Sequence, residues 1–291
     1  MTGAWRIKAA VAGLFDRALA AGYERTDVEF FTILGQRLVK LAAPQPGERV
    51  LDVGCGRGAC LFPAAQAVGP DGLAVGIDLA PGMVATTAAE ARERGLDMVR
   101  VQVMDAEEPD FPPDCFDLIL AGMVLFFLPD PLAALRRYAV LLAPGGRLAF
   151  TSLAGRDPRW DGVEAAVKRF WDRTIEMPSP LGESSPLQDA QGGTALLEQA
   201  GFTPTTSVEH PHRTVFSSVE QWYTWSWTQG MRAAWECVAE ADRERAKAAV
   251  LAELDKLREP DGTLSWTIPI RYTLAHRGCS PSTTNPPLRR S

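Results

Sequence analysis

Paired cysteines are missing from this chain. Its five, Cys55, Cys60, Cys115, Cys237 and Cys279, are odd in number, widely spaced and form no CxxC pair, which excludes a disulfide framework or zinc knuckle and suits a reducing cytoplasm. Long apolar runs are missing too. The longest, Leu118 to Leu128, is 11 residues, short of the roughly 18 to 20 that cross a bilayer. There is no excess of base either: 30 Lys and Arg stand against 36 Asp and Glu, a formal charge of −6, so no basic field draws in nucleic acid or an anionic membrane. Histidine is limited to His210, His212 and His276. What is present, 291 residues with 46% hydrophobic and 23% charged, is the composition of a globular protein with a sizeable core and small-molecule partners.

Near the start, Arg6 and Lys8 followed by Ala9 to Phe15 mimic a signal peptide, but Asp16 and Arg17 interrupt the run. Ile7, Val11, Leu14, Ala18 and Leu19 keep helical spacing, so an amphipathic helix is expected and no targeting signal. A second helix is expected from Thr26 or Asp27, both plausible N-caps, to Ala43. From Val50 the texture changes to βαβ units, with strands at 49–53, 73–78, 98–104, 116–122 and 147–153 separated by helices near 59–68, 81–94 and 131–142. A sixth strand is read at 202–210 and a seventh at 265–275. The expected fold is α/β, a doubly wound Rossmann-like seven-stranded sheet with helical cap insertions. Its expected parts are an N-terminal helical lid (1–43), a ligand-binding core (44–153), a cap insertion (154–191), a completing segment (192–277) with a helical insertion at 218–259, and a disordered tail (278–291).

The first strand runs into Val50-Leu51-Asp52-Val53-Gly54-Cys55-Gly56-Arg57-Gly58-Ala59. Glycines here let the backbone turn sharply and approach a ligand at the carboxyl edge of the sheet. The spacing also satisfies the dinucleotide fingerprint of NAD enzymes. Asp52 separates the two readings. A carboxylate two residues before the first glycine repels a diphosphate, whereas S-adenosylmethionine carries an ammonium and a sulfonium and no phosphate. Asp78 ends the second strand, 20 residues after Gly58, where an acid accepts ribose hydroxyls. Asp105 ends the third, where a carboxylate and the adjoining amide could bracket an adenine edge.

These stretches resemble the class I S-adenosylmethionine-dependent methyltransferases, specifically the small-molecule, natural-product and UbiE-like group. The resemblance covers about residues 26 to 275 and is carried by VLDVGCGRGA (50–59), GIDLAPGMV (76–84), VMDAEEPDF (103–111), FDLILAGMVLFFLPDP (116–131) and LLAPGGRLAF (141–150). It implies S-adenosylmethionine as cofactor, with S-adenosylhomocysteine as its product. Asp52, Gly54, Cys55 and Gly56 would surround the methionine moiety, Asp78 the ribose, Leu79 and Met83 the adenosine, and Asp105 and Ala106 the adenine. Ala121, Gly122 and Met123 would lie below the sulfonium. It also implies that the seventh strand is antiparallel.

In-line methyl transfer needs alignment and desolvation more than it needs catalytic groups, and no metal is expected. A hydroxyl or carbon acceptor also needs a proton acceptor. His210 and His212, read at the end of the sixth strand, are the candidates, the alternative being polar residues flanking Pro211. For an apolar or aromatic acceptor, Tyr23, Phe127, Trp160, Trp171, Trp222 and Trp225 are candidate contacts, against the reading that large rings anchor the insertions to the body. Glu107, Glu108, Asp110 and Asp114 read as a solvated loop. After the fourth strand, Ala121 to Phe127 lack the amide clamp of nucleobase methyltransferases. The chain is read as an enzyme methylating carbon, nitrogen or oxygen of a small metabolite. The alternatives are a cyclase or isomerase that keeps the cofactor site and, further off, an NAD-dependent oxidoreductase.

Overall fold

A computed structural model describes residues 3–23, 26–175, 186–187 and 189–278. All but the first residue of the expected tail, and much of the expected cap insertion, lie outside these. The strands are β1 (Arg49–Val53), β2 (Leu73–Asp78), β3 (Val99–Val103), β4 (Phe116–Ala121), β5 (Leu142–Leu153), β6 (Phe202–Phe216) and β7 (Leu264–Arg277). They form one sheet in the order β3-β2-β1-β4-β5-β7-β6. β1 to β5 are parallel, and β7 runs antiparallel to both β5 and β6, the topology expected from the sequence.

The helices are α1 (Gly3–Ala20), α2 (Phe31–Ala42), α3 (Leu61–Val68), α4 (Pro81–Glu93), α5 (Pro131–Leu141), α6 (Asp161–Lys168), α7 (Ala190–Gln199), α8 (Val219–Ser226), α9 (Arg232–Glu236) and α10 (Arg243–Asp255). Alternate residues of a strand point to opposite faces, and the central strands are apolar on both. Val50 and Leu118 pack with Leu34 and Leu38 of α2. Leu51 and Ile119 pack on the other face with Leu135 and Tyr138 of α5. Local signals set several starts. Asp130 accepts the Ala133 N–H at 2.9 Å, and Pro131 sits in the first turn of α5, where its missing N–H is no loss.

Tertiary structure moves two expected boundaries, the start of α2 and the end of β6, and also limits α6. α2 begins at Phe31 and neither expected cap is used; Asp27 takes φ +56°, a left-handed conformation that interrupts any helix there. α6 ends at Lys168, and Trp171 pairs with Val238 in an isolated bridge. β6 continues past residue 210 to Phe216, because His212, Thr214 and Phe216 alternate inward against β7. His210 and His212 therefore lie inside a strand, opposite Ile270 and Ile268, and not at its end. Pro211 faces Pro269. The pair is tolerated because β6 is the sheet's edge, and β7 before Ile270 has outrun its β5 partner Leu153. This two-stranded arm carries the ladder beyond the carboxyl edge of β4 and β5. α6, α8, α9 and α10 gather at it, burying Val163, Trp222, Trp225, Trp235 and Val250 in the α2-side core.

Candidate active site

The site begins where β1 ends. Gly54 holds φ +62°, and a Cβ there would stand 2.4 Å from Val124 Cγ2, so only glycine lets the loop after β4 close against it. Gly56 holds φ +50° and faces open space, with nothing within 4 Å of where a Cβ would stand. The Thr87 hydroxyl donates to the Gly56 carbonyl at 2.7 Å, fixing the loop to α4.

Three acids lie at or near the ends of β1, β2 and β3. Asp52 is 1% exposed and its Oδ2 has no hydrogen-bond partner among the described residues. Burial, reinforced by the Asp78 charge, lifts its carboxyl well above the usual 3.8, with the Leu61 N–H acting the other way. Asp78 is half-buried and accepts the Gly56 and Ala80 N–H groups at 2.9 Å each. Burial raises its pKa as well, opposed by those amides. Each of its oxygens keeps a lone pair for a further donor. Asp105 at the end of β3 accepts the Glu107 N–H on Oδ1 at 2.8 Å and Lys8 Nζ on Oδ2 at 2.7 Å. Burial disfavours the Lys8 ammonium, but hydrogen bonding and charge from Asp105 and Glu107 outweigh it and hold its pKa above 10.5. The neighbouring Ala106 carbonyl accepts the buried Tyr138 hydroxyl at 2.6 Å.

The floor is the turn after β4. Ala121 is fully buried, and a Cβ on Gly122 would meet Cys60 Sγ at 2.7 Å. Met123 adopts φ +58° and donates its N–H to Thr151 Oγ1 at 2.9 Å. Strained backbone of this kind persists only where surrounding contacts impose it.

Helix α1 and the segment after it form a roof. Tyr23 stacks on Phe31 with centroids 5.3 Å apart and packs with Ala80 and Met83; Leu79 is half-buried beside them. Phe15 meets Phe127 edge-on at 5.4 Å and Tyr23 at 6.4 Å. Phe31 meets Phe30 at 4.9 Å, and Phe30 meets His212 at 5.0 Å. One continuous aromatic chain thus joins the turn after β4 to His212.

His212 is 3% exposed, and its Nε2 has no hydrogen-bond partner among the described residues. Burial, with a smaller push from Arg37, lowers its pKa below 6.5, so the ring is neutral at pH 7. His210 is exposed, its ring 5.9 Å from Tyr272. Trp225 lies among Phe30, Phe216 and Trp266, and Trp160 against Trp222 and Trp266. Trp160, Trp222 and Trp225 are at most 5% exposed; they anchor the helices at the arm. Trp171 stands apart, donating to the Ala234 carbonyl at 2.9 Å. Sequence reasoning missed Lys8, Phe15, Thr87 and Thr151. Lys8 and Phe15 were visible only within a signal-peptide mimic, and none of the four sits in a recognisable motif.

These residues suit the cofactor expected from the sequence. An orphaned buried carboxylate beside a second acid calls for a cationic donor and repels a diphosphate. Gly56 leaves room for close approach, and Asp78 has spare acceptor capacity. Among the described residues no cluster of His, Cys, Asp and Glu could hold a metal ion, and no helix is long and apolar enough to cross a membrane.

Comparison with known proteins agrees. Residues 44–180 match a methyltransferase domain family. Aklanonic acid methyltransferase DauC of Streptomyces sp. (strain C5) is 54% identical over 145 residues, covering 50% of this chain and 66% of that protein. Nocamycin O-methyltransferase of Saccharothrix syringae is 40% identical over 270 residues, covering 89% of this chain and 95% of that protein. Among solved structures, the YcgJ protein of Bacillus subtilis shares the fold, with a TM-score of 0.57 at 21% identity over 85% of this chain and 99% of that one. The chain belongs to the class I S-adenosylmethionine-dependent methyltransferases of small-molecule type.

Proposed function

We propose that this methyltransferase acts on an oxygen atom of a small, largely apolar natural product, and that His212 is the group that accepts the acceptor's proton. The observation that carries the reading is His212 itself, a neutral imidazole with an unpartnered Nε2 set in an aromatic wall continuous with the turn after β4. The likeness to a nocamycin O-methyltransferase over nearly its whole length supports an oxygen acceptor. The likeness to an aklanonic acid methyltransferase supports a natural product.

When bound, the cofactor supplies an electrophilic methyl group on a sulfonium, open to in-line displacement. The chain does the rest. Asp52 Oδ2 would accept from the cofactor's ammonium and Asp78 from its ribose hydroxyls, and Asp105 with Ala106 would meet its adenine. Ala121, Gly122 and Met123 would line the sulfonium side, with Cys55 behind the loop. Tyr23 and Phe127 press on the acceptor and exclude water. With its proton on Nδ1, His212 takes the hydroxyl proton on Nε2 as the oxygen attacks, contributing about 10²- to 10⁴-fold. His210, exposed on the same strand, stays outside this path. Trp160, Trp222 and Trp225 hold the wall's shape from behind, and Trp171 fixes α6 to the α9 segment.

The test is incubation of the purified protein with methyl-labelled S-adenosylmethionine and, in turn, aklanonic acid and demethylated nocamycin, followed by mass spectrometry. An O-methylated product is expected. Methyl transfer to carbon or nitrogen, or hydride exchange with NAD, would overturn the reading.

A further inference from the structure

Helix α1 is fastened at three points, each to a different part of the molecule. Near its start, Lys8 Nζ lies 2.7 Å from Asp105 and 2.9 Å from Glu107, the three side chains being 11%, 20% and 10% exposed. Near its end, Asp16 accepts the Gly82 N–H at 2.9 Å, in the first turn of α4. One residue on, Arg17 donates to Glu236 of α9 at 2.8 and 2.6 Å, an acid that Arg232 also grips at 2.6 Å. The first contact differs in kind from the last. Arg17 is 51% exposed, and such pairs are screened by solvent. Lys8 faces two nearly buried acids that are neighbours in sequence and would otherwise confront each other uncompensated.

We propose that Lys8 is a positioning residue for the adenine end of the crevice: by neutralising Asp105 and Glu107 it seats α1 over the cofactor and aims the Asp105 carboxylate. The inference rests on the cofactor reading above. Oδ1 of Asp105 is already taken by the Glu107 amide, so the direction of Oδ2 is set by the group that grips it, which is Lys8. Because the far end of α1 holds Glu236, seating the helix also draws α9 toward the site. Filling the adenosine end therefore stabilises the acceptor side. The link is reciprocal, since α9 held in place favours a seated α1 and tighter cofactor binding.

The experiment uses the full chain and its K8A, K8M and K8R variants. Affinity for S-adenosylhomocysteine is measured by calorimetry, and amide hydrogen exchange is followed over residues 3–20 and 232–236 with and without it. In the wild type, binding should raise protection in both segments. K8A and K8M should bind about tenfold or more weakly and lose that added protection, while K8R restores both. K8M keeps the apolar stem, so it separates the charge from packing should K8A fold poorly. Wild-type affinity and protection in K8M would overturn the proposal. Failure of the wild type to bind S-adenosylhomocysteine would instead overturn the cofactor reading on which it rests.

Discussion

Replacing Asp52 by Asn should move stability and affinity in opposite directions. In the cofactor-free protein this carboxyl is 1% exposed, has one oxygen without a partner among the described residues and feels the Asp78 charge. Its folded pKa is raised, so the folded state binds this proton more tightly than the unfolded chain does. Its favourable contribution is complete below the unfolded value near 3.8 and is lost as pH rises through the folded value, with a slope of up to about 1.4 kcal/mol per pH unit. An amide at this position does not titrate, so the stability advantage of Asp52→Asn should grow with pH. The cofactor's ammonium, in contrast, loses a charged acceptor, worth about 1.5–3 kcal/mol, which is roughly a 10- to 150-fold weakening. Docking an ammonium favours the ionised carboxyl, so binding should release a proton wherever the pH lies below the raised folded value of the empty protein. The assays are scanning calorimetry of the empty protein across pH and titration with S-adenosylhomocysteine in buffers of different ionisation enthalpy. A variant that binds as tightly as wild type and shows the same pH slope would refute the assignment of Asp52.

Three further outcomes follow from the same geometry. Asp78→Ala removes the proposed ribose acceptor and strands the Gly56 and Ala80 amides, so affinity for S-adenosylhomocysteine should drop about 100-fold or more by calorimetry. Gly54→Ala places a methyl 2.4 Å from Val124 at φ +62°; it should cost about 1–3 kcal/mol in denaturant titrations, and a neutral effect would contradict the close approach. His212→Ala should lower kcat by about 10²- to 10⁴-fold with little change in S-adenosylhomocysteine affinity. The wild-type rate should stay level above pH 6.5 and fall only as the depressed imidazole pKa is crossed from above. A variant as active as wild type over that range would remove His212 from the reaction.

The crevice proposed for the cofactor could be drawn from the sequence because its parts are local. Asp52 with the glycine turn, Asp78 and Asp105 lie at or just past the ends of three short strands, and parallel βαβ units bring such strand ends to one edge whatever the rest of the chain does. The antiparallel last strand was likewise implied by the family resemblance and is present in the sheet. Other features depend on partners far away in the chain. Lys8 and Asp105 are 97 residues apart, and nothing near Lys8 announces an acid. The extent of β6 is set by β7, which pairs Phe216 with Leu264, so the positions of His210 and His212 within the strand could not be read from their own flanks. His210 and His212 share a face of that ladder; Phe30 covers His212 while His210 is exposed, and that difference in cover is the ground for proposing unlike roles. Likewise, tryptophan spacing cannot tell a ring that walls a cavity from one that anchors a helix, because burial is a property of the packed layers. The chain's local chemistry determined what the first crevice binds; packing between distant segments decided what covers it and which histidine faces the aromatic wall.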